Sequence, residues 1–317
     1  NKEDVFRWDS NILNYSIKPD FTWYLNTRNT ITFGGQSILY NFNPGSALVG
    51  SGGEGQDIGL NSKKALESAV YIGNEQKITD RLTLNYGLRY SFYDYFGTPL
   101  AYIYDESAPA GERKPLLDTL AFSGNESIRK YGYFEPRFAV NISLNRSTSL
   151  KIGYNRLAQY IHLLSNTTAS SPLDVWTPST NNIKPQLSDQ VALGVFKNFR
   201  DNMYETSVEV YFKTLQNQID YIRNADLLLN PYVEGDLMYG KGRAYGAEFF
   251  VKKNKGSLNG WISYTLSRTE RKVNGLNNNE WFLSRIDKLH NLSVVSIYDI
   301  SKKWNIGATF SFMTGTP

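Results

Sequence analysis

Short polar turns alternate with long loops along the whole chain, and this alternation constrains the fold more than any other feature of the sequence. Six turns of three or four residues divide the apolar stretches, at 26–29, 79–81, 145–148, 200–202, 254–256 and 301–303. Five loops of roughly 14 to 31 residues lie between them, at 44–63, 98–128, 161–186, 225–238 and 271–288. Transmembrane β-barrels keep short turns on one side of the membrane and long loops on the other, whereas soluble sandwiches and propellers have no reason to do so. The pattern therefore predicts an antiparallel up-and-down transmembrane β-barrel.

The stretches between these connectors alternate apolar and polar residues with the period of two that a β-strand requires. In the strand predicted at 82–96, Leu, Tyr and Phe occupy every second position from 82 to 92, and polar residues such as Asn85 and Arg89 stand between them. Residues 133–160 show the same pattern on both sides of a polar turn, which predicts a long β-hairpin. We count about twelve such strands and no helix.

One face of the predicted strands is free of charge. Within the strand cores, the apolar set contains no Asp, Glu, Lys or Arg, and the opposite set contains Lys18, Asp20, Glu67, Glu75, Lys77, Arg89, Glu135, Arg137, Lys151, Glu205, Glu209 and Glu248. A basic residue that faces lipid at mid-membrane costs roughly 2–4 kcal/mol, so a barrel keeps its charges on the inner face. A soluble core also excludes charge, and the connector lengths therefore decide between the two.

Aromatic residues stand near many strand ends, where barrels place the girdles that contact the membrane interface. Seven of the 22 Tyr and 6 Trp residues are expected in these girdles: Trp8, Trp23, Tyr40, Tyr93, Tyr160, Tyr204 and Trp304.

Composition excludes several other classes of protein. No run approaches the ~20 apolar residues of a membrane helix, and the absence of cysteine excludes disulfides and thiolate metal sites. The net charge of +4 comes from 34 basic and 30 acidic residues without a long basic run, so we expect no nucleic-acid partner. The two histidines, His162 and His290, lie in no metal-binding motif, so we expect no metal and no cofactor. The Gly-rich run at 50–55 lacks the strand-to-helix context of a nucleotide-binding loop, and we expect a flexible linker there.

More specific motifs cluster between residues 133 and 200. They read EPR at 135–137, YNR at 154–156, QYIHLLSN at 159–166, IKPQ at 183–186 and SDQ at 188–190. In this order they resemble the barrel of Bacteroidetes-type TonB-dependent outer-membrane receptors. The similarity covers most of the chain in its rhythm of turns and loops.

This resemblance implies a 22-stranded barrel that is plugged by an N-terminal domain and imports a scarce ligand with energy delivered through TonB. About twelve strands are too few for such a barrel, so we expect residues 1–317 to be a single partial barrel domain that lacks the plug and the C-terminal strands. The expected location is the outer membrane of a Gram-negative cell. The expected partners are TonB (through the missing N-terminal region), an imported small ligand, outer-membrane lipid and a surface lipoprotein. No catalytic activity is implied.

The interpretation of the chain as part of a receptor barrel suggests candidate ligand-binding residues. The loops at 98–128, 161–186 and 271–288 would capture the ligand outside the cell, and an inner wall would guide it past the plug. We expect Asp174, Trp176 and Trp281 to supply charge and stacking at the mouth, and the polar inner wall to contain Arg89, Glu135, Arg137, Arg156 and Gln159.

The sequence leaves the ligand and two other functions open. The ligand could be a siderophore, a vitamin such as cobalamin, a glycan or a peptide. A passive porin or structural barrel is the first alternative, and a plug domain would exclude it. An outer-membrane phospholipase or protease is the second, and it requires a Ser/His or Asp/His cluster at the rim.

Overall fold

The computed structural model describes residues 4–51, 54–164, 175–227 and 229–316, and their regular secondary structure is almost entirely β-strand. In chain order the strands are β1 (Asp4–Ile17), β2 (Asp20–Asn26), β3 (Asn29–Ser51), β4 (Glu54–Gly59), β5 (Lys63–Lys77), β6 (Leu82–Phe96), β7 (Leu100–Tyr104), β8 (Leu116–Ala121), β9 (Ser127–Asn145), β10 (Thr148–Gln159), β11 (Ile161–Leu164), β12 (Val175–Pro178), β13 (Gln186–Phe199), β14 (Tyr204–Tyr221), β15 (Leu237–Lys253), β16 (Leu258–Val273), β17 (Phe282–Leu283), β18 (His290–Ser301) and β19 (Trp304–Met313). Two 3₁₀ turns, η1 (Val233–Asp236) and η2 (Asn277–Asn279), lie in the loops. No helix in the described ranges is long and apolar enough to cross a membrane.

Twelve strands form one continuous antiparallel sheet in the order β1-β3-β5-β6-β9-β10-β13-β14-β15-β16-β18-β19. β2 pairs with β3 below a break at Lys18 and Pro19, so β1 and β2 together occupy one strand position. The count of about twelve strands and the up-and-down order are therefore confirmed. The sheet is not closed, because β1 and β19 are at opposite ends of the path and do not pair with each other.

All six short turns lie at one edge of the sheet, and the five long connections lie at the other. Consecutive antiparallel strands reverse direction, so every second connection returns to the same edge. Backbone hydrogen bonds join each turn to the next: they run from Lys77 N to Arg28 O, Ser143 N to Arg81 O, Asn198 N to Ser147 O, Asn254 N to Met203 O and Asp299 N to Ser257 O, at 2.7–2.8 Å. We call these two borders the turn edge and the loop edge.

Several long connections contain structure that the sequence did not reveal. β3 continues to Ser51 and pairs with β4, with Gly50 opposite Gly55. The expectation of a flexible linker at 50–55 was therefore wrong for the paired residues, and residues 52 and 53 lie outside the described residues. A ladder needs only backbone groups, and glycine supplies these without an apolar pattern to signal them. The loop at 98–128 contains the β7–β8 hairpin, and the loop at 161–186 contains the β11–β12 hairpin.

The apolar face of the sheet is uncovered. One cross-strand row runs in register through Tyr86, Phe138, Tyr154, Val191, Phe212 and Tyr245. Val191 is 51% exposed, and many other large apolar residues of this face are at least 36% exposed. A soluble sandwich would bury such a face against a second sheet, whereas a membrane barrel turns an exposed apolar face of this kind toward lipid.

The apolar band has the height of a membrane. On β15 the outer face carries Tyr245, Ala247, Phe249 and Val251, with Arg243 above them and Lys253 below. Ten residues span about 33 Å along a strand, which a tilt of about 40° reduces to about 25 Å along the membrane normal. Outer-membrane barrels have an apolar band of about this height.

Candidate functional site

The concave face of the sheet carries a buried charge cluster. Arg89 on β6 lies opposite Glu135 on β9, and its Nε is 3.5 Å from Glu135 Oε1. The guanidinium also lies 3.5 Å from Glu67 Oε1 on β5, and its Nη1 donates to Gln36 Oε1 at 3.3 Å. Tyr40 donates to the second oxygen of Glu67 at 3.4 Å. Glu135 is only 3% exposed, so one arginine holds two carboxylates together across three strands.

A cavity of about 810 Å³ lies next to this cluster, toward the turn edge. Its polar lining comes from seven neighbouring strand positions and includes Lys18, Asp20, Tyr71, Glu75, Asn85, Arg89, Arg137, Asn155 and Gln190. Tyr71 donates to Asp20 at 3.0 Å, which ties the start of β2 to β5. The cavity therefore combines both signs of charge with neutral hydrogen-bonding groups.

Toward the loop edge, the concave face is covered by the protein's own loops. The β12 strand packs against β3 and β5, and the segment that follows it continues along the inner face. Two apolar clusters fill the space beneath. The first consists of Tyr40, Phe42, Ala65, Tyr93, Tyr95 and Tyr160, and the second of Leu164, Val175, Ile183, Ile219, Val233 and Leu237. We call the loop residues 175–185 and 233–236 the inner cap.

Wall tyrosines hold the backbone of the inner cap. Tyr93 donates to Ser179 O at 3.0 Å, and Tyr131 donates to Thr180 O at 2.7 Å. Tyr239 donates to Asn182 O at 2.8 Å. These hydroxyls satisfy carbonyl groups that form no sheet ladder, which is why an irregular segment can be buried here.

A buried ion pair joins the inner cap to the wall. Glu234 in η1 accepts hydrogen bonds from Lys63 Nζ at 2.9 Å, Thr180 Oγ1 at 3.0 Å and Asn182 Nδ2 at 2.7 Å. Burial alone would raise the pKa of Glu234, but the Lys63 ammonium and the hydrogen bonds hold the pKa of this carboxyl below its ordinary value. Nearby, Arg113 makes two hydrogen bonds to the buried carboxylate of Asp236, at 2.6 and 2.8 Å.

The fold and the cap can now be compared with known proteins. The family model described as "TonB dependent receptor-like, beta-barrel" matches residues 3–315. The chain belongs to the TonB-dependent receptor β-barrel family. Members of this family are outer-membrane β-barrel proteins, and this chain is one of them.

Solved structures with this fold include outer-membrane receptors and an iron transporter. The Fiu ferric-catecholate import receptor of E. coli K12 superposes with a TM-score of 0.62 at 14% identity, covering 96% of this chain and 44% of Fiu. The FrpB iron transporter of Neisseria meningitidis superposes with a TM-score of 0.61 at 12% identity, covering 94% of this chain and 42% of FrpB. The alcaligin receptor FauA of Bordetella pertussis superposes with a TM-score of 0.57 at 13% identity, covering 98% of this chain and 47% of FauA. The chain thus spans less than half the length of these structures. No curated protein matches the sequence.

Three of the predicted wall residues lie together. Arg89 and Glu135 form the charge cluster, and Arg137 follows on the same face, where it lines the cavity opposite Asn155. Gln159 stands at the end of β10 and donates to Ile161 O at 2.7 Å, which helps the chain turn into the inner cap.

Two other predicted residues lie on the outer face. The register of β10 places Arg156 opposite Asp189, at 3.8 Å, and on the same face as Tyr154, which donates to Asp189 at 2.8 Å. Arg156 was expected in the inner wall, and the expectation was wrong because 156 is an even position of β10 and the inner positions are odd. The ring centroid of Trp281 lies 4.2 Å from Arg243 Cζ. Arg243 Nε is 2.7 Å from Glu270 Oε2 on this outer face, just above the apolar band.

The remaining two predicted residues belong to the 161–186 connection. Trp176 on β12 pairs with Leu163 on β11, and both are exposed while their neighbours His162 and Thr177 are buried. Trp176 is 47% exposed and is thus available for stacking. Asp174 lies outside the described residues.

The expected aromatic girdle is only partly present. Trp304 is 72% exposed at the turn edge, and Trp23 is exposed as well. Three members, Tyr40, Tyr93 and Tyr160, are instead buried on the concave face, where Tyr93 stacks on Tyr160 at 4.7 Å. The inner cap covers them, and strand position alone could not reveal that cover. The side chain of Trp8 is not among those that the structure describes.

His162 and Ser179 come together inside the inner cap. His162 Nε2 lies 2.9 Å from Ser179 Oγ, but Nδ1 has no hydrogen-bond partner in the described residues. Burial lowers the pKa of His162 to about 4. A hydrolase requires a carboxylate on Nδ1 and an accessible hydroxyl, and Ser179 is fully buried. The pair is therefore a buried hydrogen bond of the cap.

Sequence reasoning missed the residues that build the cap. Lys63, Glu234 and the wall tyrosines are far apart in the chain and match no motif, although the IKPQ segment at 183–186 marks where the cap ends. Among the described residues, no group of three His, Asp or Glu side chains could hold a metal ion.

Proposed function

We propose that this chain forms part of the wall of an outer-membrane receptor that binds a scarce ligand and imports it with TonB-derived energy. The observation that carries the proposal is the division of the two faces. The outer face is an apolar band of membrane height, and the inner face carries a buried charge cluster and a polar cavity. A wall of this kind suits a lumen that is filled by a polar domain.

The open sheet supports the expectation of a partial barrel domain over residues 1–317. The free edges of β1 and β19 would each leave a row of backbone groups unpaired in hydrocarbon, at several kcal/mol per group. Further strands of the full-length protein would pair these edges and close the wall. The plug and the TonB contact would also come from outside this chain. Assignment to the Bacteroidetes type rests on the motifs between 133 and 200 alone.

The inner cap favours a receptor over a passive porin. A porin keeps a water-filled channel open through its wall, whereas the cap closes the loop end of this concave face with two apolar clusters and the Lys63–Glu234 pair. A hydrolase is not supported, because His162 has no carboxylate partner among the described residues and Ser179 is inaccessible. We therefore infer that the chain is not an enzyme.

The ligand would meet Trp176 first and the wall residues Arg89, Glu135 and Arg137 later. The exposed Leu163–Trp176 pair offers a stacking surface on the cap, and the cavity offers charge and hydrogen bonds below it. Siderophores, vitamins, glycans and peptides could all use such a path. Ferric siderophores are the first class to test, because Fiu is named as a ferric-catecholate import receptor and FrpB as an iron transporter.

Uptake by the full-length protein tests this proposal. The gene is expressed in an outer membrane that lacks other iron receptors, and ⁵⁵Fe-labelled catecholate and hydroxamate siderophores and labelled cobalamin are supplied in strains with and without TonB. We expect uptake of one ligand class only when TonB is present, and Trp176→Ala should weaken binding of that ligand. Uptake of small solutes that is independent of TonB would overturn the proposal in favour of a porin.

A further inference from the structure

The two edges of the sheet differ sharply in how their charges are arranged. Taking each short turn with two to four residues on either side gives the segments 24–31, 75–84, 143–150, 197–206, 251–260 and 299–306. These segments contain eleven basic residues: Arg28, Lys77, Arg81, Arg146, Lys197, Arg200, Lys252, Lys253, Lys255, Lys302 and Lys303. They contain five acidic residues: Glu75, Asp80, Asp201, Glu205 and Asp299. The turn edge therefore has a net charge of +6, which leaves 23 basic and 25 acidic residues, or −2, for the rest of the chain.

The basic side chains of the turn edge are also unpaired. Every ion pair between described residues lies in the inner wall or toward the loop edge, as in Lys63–Glu234, Arg113–Asp236 and Arg243–Glu270. No such pair includes a residue of the six turn segments. Lys255 Nζ, for example, donates to the backbone carbonyl of Asp201 at 2.7 Å and to no carboxylate. The positive charge of this edge is thus available to an external anion.

This charge continues directly from the lipid-facing band. Lys197 follows Val195 on the outer face of β13, and Lys253 follows Val251 on the outer face of β15. The Lys197 ammonium lies 4.8 Å from the ring centroid of Phe199, which is itself exposed. A lysine at the end of an apolar band extends its ammonium toward the headgroups while its methylene groups stay in the apolar layer.

We propose that the turn edge binds the anionic headgroups of phospholipids in the membrane leaflet that it borders. All six turns contain at least one basic residue, so the charge forms an arc around the wall and not a single patch. Successive turns are two strands apart, or about 10 Å, which is about one Debye length at physiological ionic strength, so their potentials add. An arc that borders an apolar band matches a surrounding lipid leaflet better than it matches one acidic protein.

The expected strength is that of other basic residues near an anionic membrane. Each contributes about 1 kcal/mol when it lies near the surface, which corresponds to about a five-fold enrichment of an anionic lipid at that residue. Because the charges are exposed, added salt should remove most of the effect.

Energy transfer between the protein and labelled lipids tests this proposal. The full-length protein carries a donor dye on Ser257→Cys, at the turn edge, and is reconstituted into phosphatidylcholine vesicles that contain a tenth phosphatidylglycerol. The acceptor is placed on either lipid. At low salt we expect more transfer to phosphatidylglycerol, equivalent to about a five-fold enrichment near the dye, and 0.5 M salt should bring the two lipids close to equality.

Two variants of equal charge change separate the turn edge from the rest of the surface. The first replaces Lys252, Lys253, Lys255, Lys302 and Lys303 with Gln and should lose most of the enrichment. The second replaces Lys130, Lys184, Lys241, Lys272 and Lys288 with Gln and should keep it. Equal transfer to both lipids in the unmodified protein at low salt would overturn the proposal, and an acidic protein partner would then be the better occupant. Enrichment that persists in the first variant would overturn it as well, and the measurements on the unmodified protein stand even if a variant fails to fold.

Discussion

Replacing Glu234 with Gln should release the inner cap from the wall. Glu234→Gln keeps the size of the side chain and leaves one oxygen to accept from Thr180 and Asn182, but it places an amide against the Lys63 ammonium. Glu234 and Lys63 are both largely buried, with side-chain exposures of 8% and 19%. Removing one partner of a buried pair costs about 3–5 kcal/mol, because the other charge is left without compensation.

Hydrogen exchange of the cap amides measures this loss. The amide of Ile183 is a suitable probe, because Ile183 is fully buried and its N–H donates to Thr180 Oγ1 at 3.0 Å. A loss of 3–5 kcal/mol in local opening free energy corresponds to a hundredfold to a few thousandfold faster exchange. Exchange in the β13 and β14 ladders should change little, because the cap contributes no backbone bonds to them.

Two comparisons make this prediction refutable. Glu106→Gln removes the pair with Lys114, in which Glu106 is 73% exposed, and should change cap exchange by less than a factor of five, since exposed pairs are worth about 0–1 kcal/mol. The double variant Lys63→Met, Glu234→Leu removes both charges and should recover much of the protection, because no buried charge is left unpaired. If Glu234→Gln left Ile183 exchange unchanged, the ion pair would not hold the cap and the reasoning would fail.

Three further predictions concern the cap, the lipid face and the topology. His162 has a folded-state pKa of about 4, and its imidazole takes up a proton at a higher pH once the cap opens. Acidification from pH 6.5 to 4 should therefore weaken cap protection by up to about 3 kcal/mol. His162→Gln should remove most of this dependence in a pH series of hydrogen exchange and leave the smaller part that protonation of Glu234 contributes near pH 4. Val208→Arg, on the lipid face, should impair barrel assembly by roughly 2–4 kcal/mol, whereas Glu209→Arg, on the inner face, should assemble normally; equal heat-modifiable migration of both variants would contradict the assigned faces. Cysteines in the six short turns should resist an impermeant maleimide on intact cells and cysteines in 98–128 should react, because we predict that the turn edge faces the periplasm; labelled turns would reverse this orientation.

The sheet could be predicted from the sequence because its determinants are local. An alternating strand such as β6 fixes which side chains share a face, and connector lengths fix which strand ends share an edge. The same reasoning found Arg89, Glu135 and Arg137, because they are charged residues on the inner face of adjacent strands. Arg156 was assigned to the wrong face because the YNR motif was not compared with the alternation of inner and outer positions along β10.

The inner cap could not be predicted, because its determinants are non-local. Glu234 and Lys63 are separated by 171 residues, and neither shows in sequence that the other will neutralise it. Tyr93 and Tyr160 are aromatic residues near strand ends, as girdle residues are. Only the cap that covers them distinguishes a buried position from one at the membrane interface. Glycine-rich pairing between β3 and β4 was missed for a different reason, since backbone hydrogen bonds leave no periodic signal.

Spin-label scanning along β13 tests most directly whether this chain is the wall of a membrane receptor with lipid on one side and a polar lumen on the other. Single nitroxides are placed at each position from 190 to 195 in the full-length protein reconstituted in vesicles, and collision rates with oxygen and with a nickel chelate are measured. We predict a period of two, with oxygen dominating at Val191, Leu193 and Val195, and lower oxygen access at Gln190, Ala192 and Gly194, because only the first set faces lipid. If the water-soluble chelate reached Val191, Leu193 and Val195 as readily as it reaches Gln190, Ala192 and Gly194, this face would be in contact with water. That result would contradict the account.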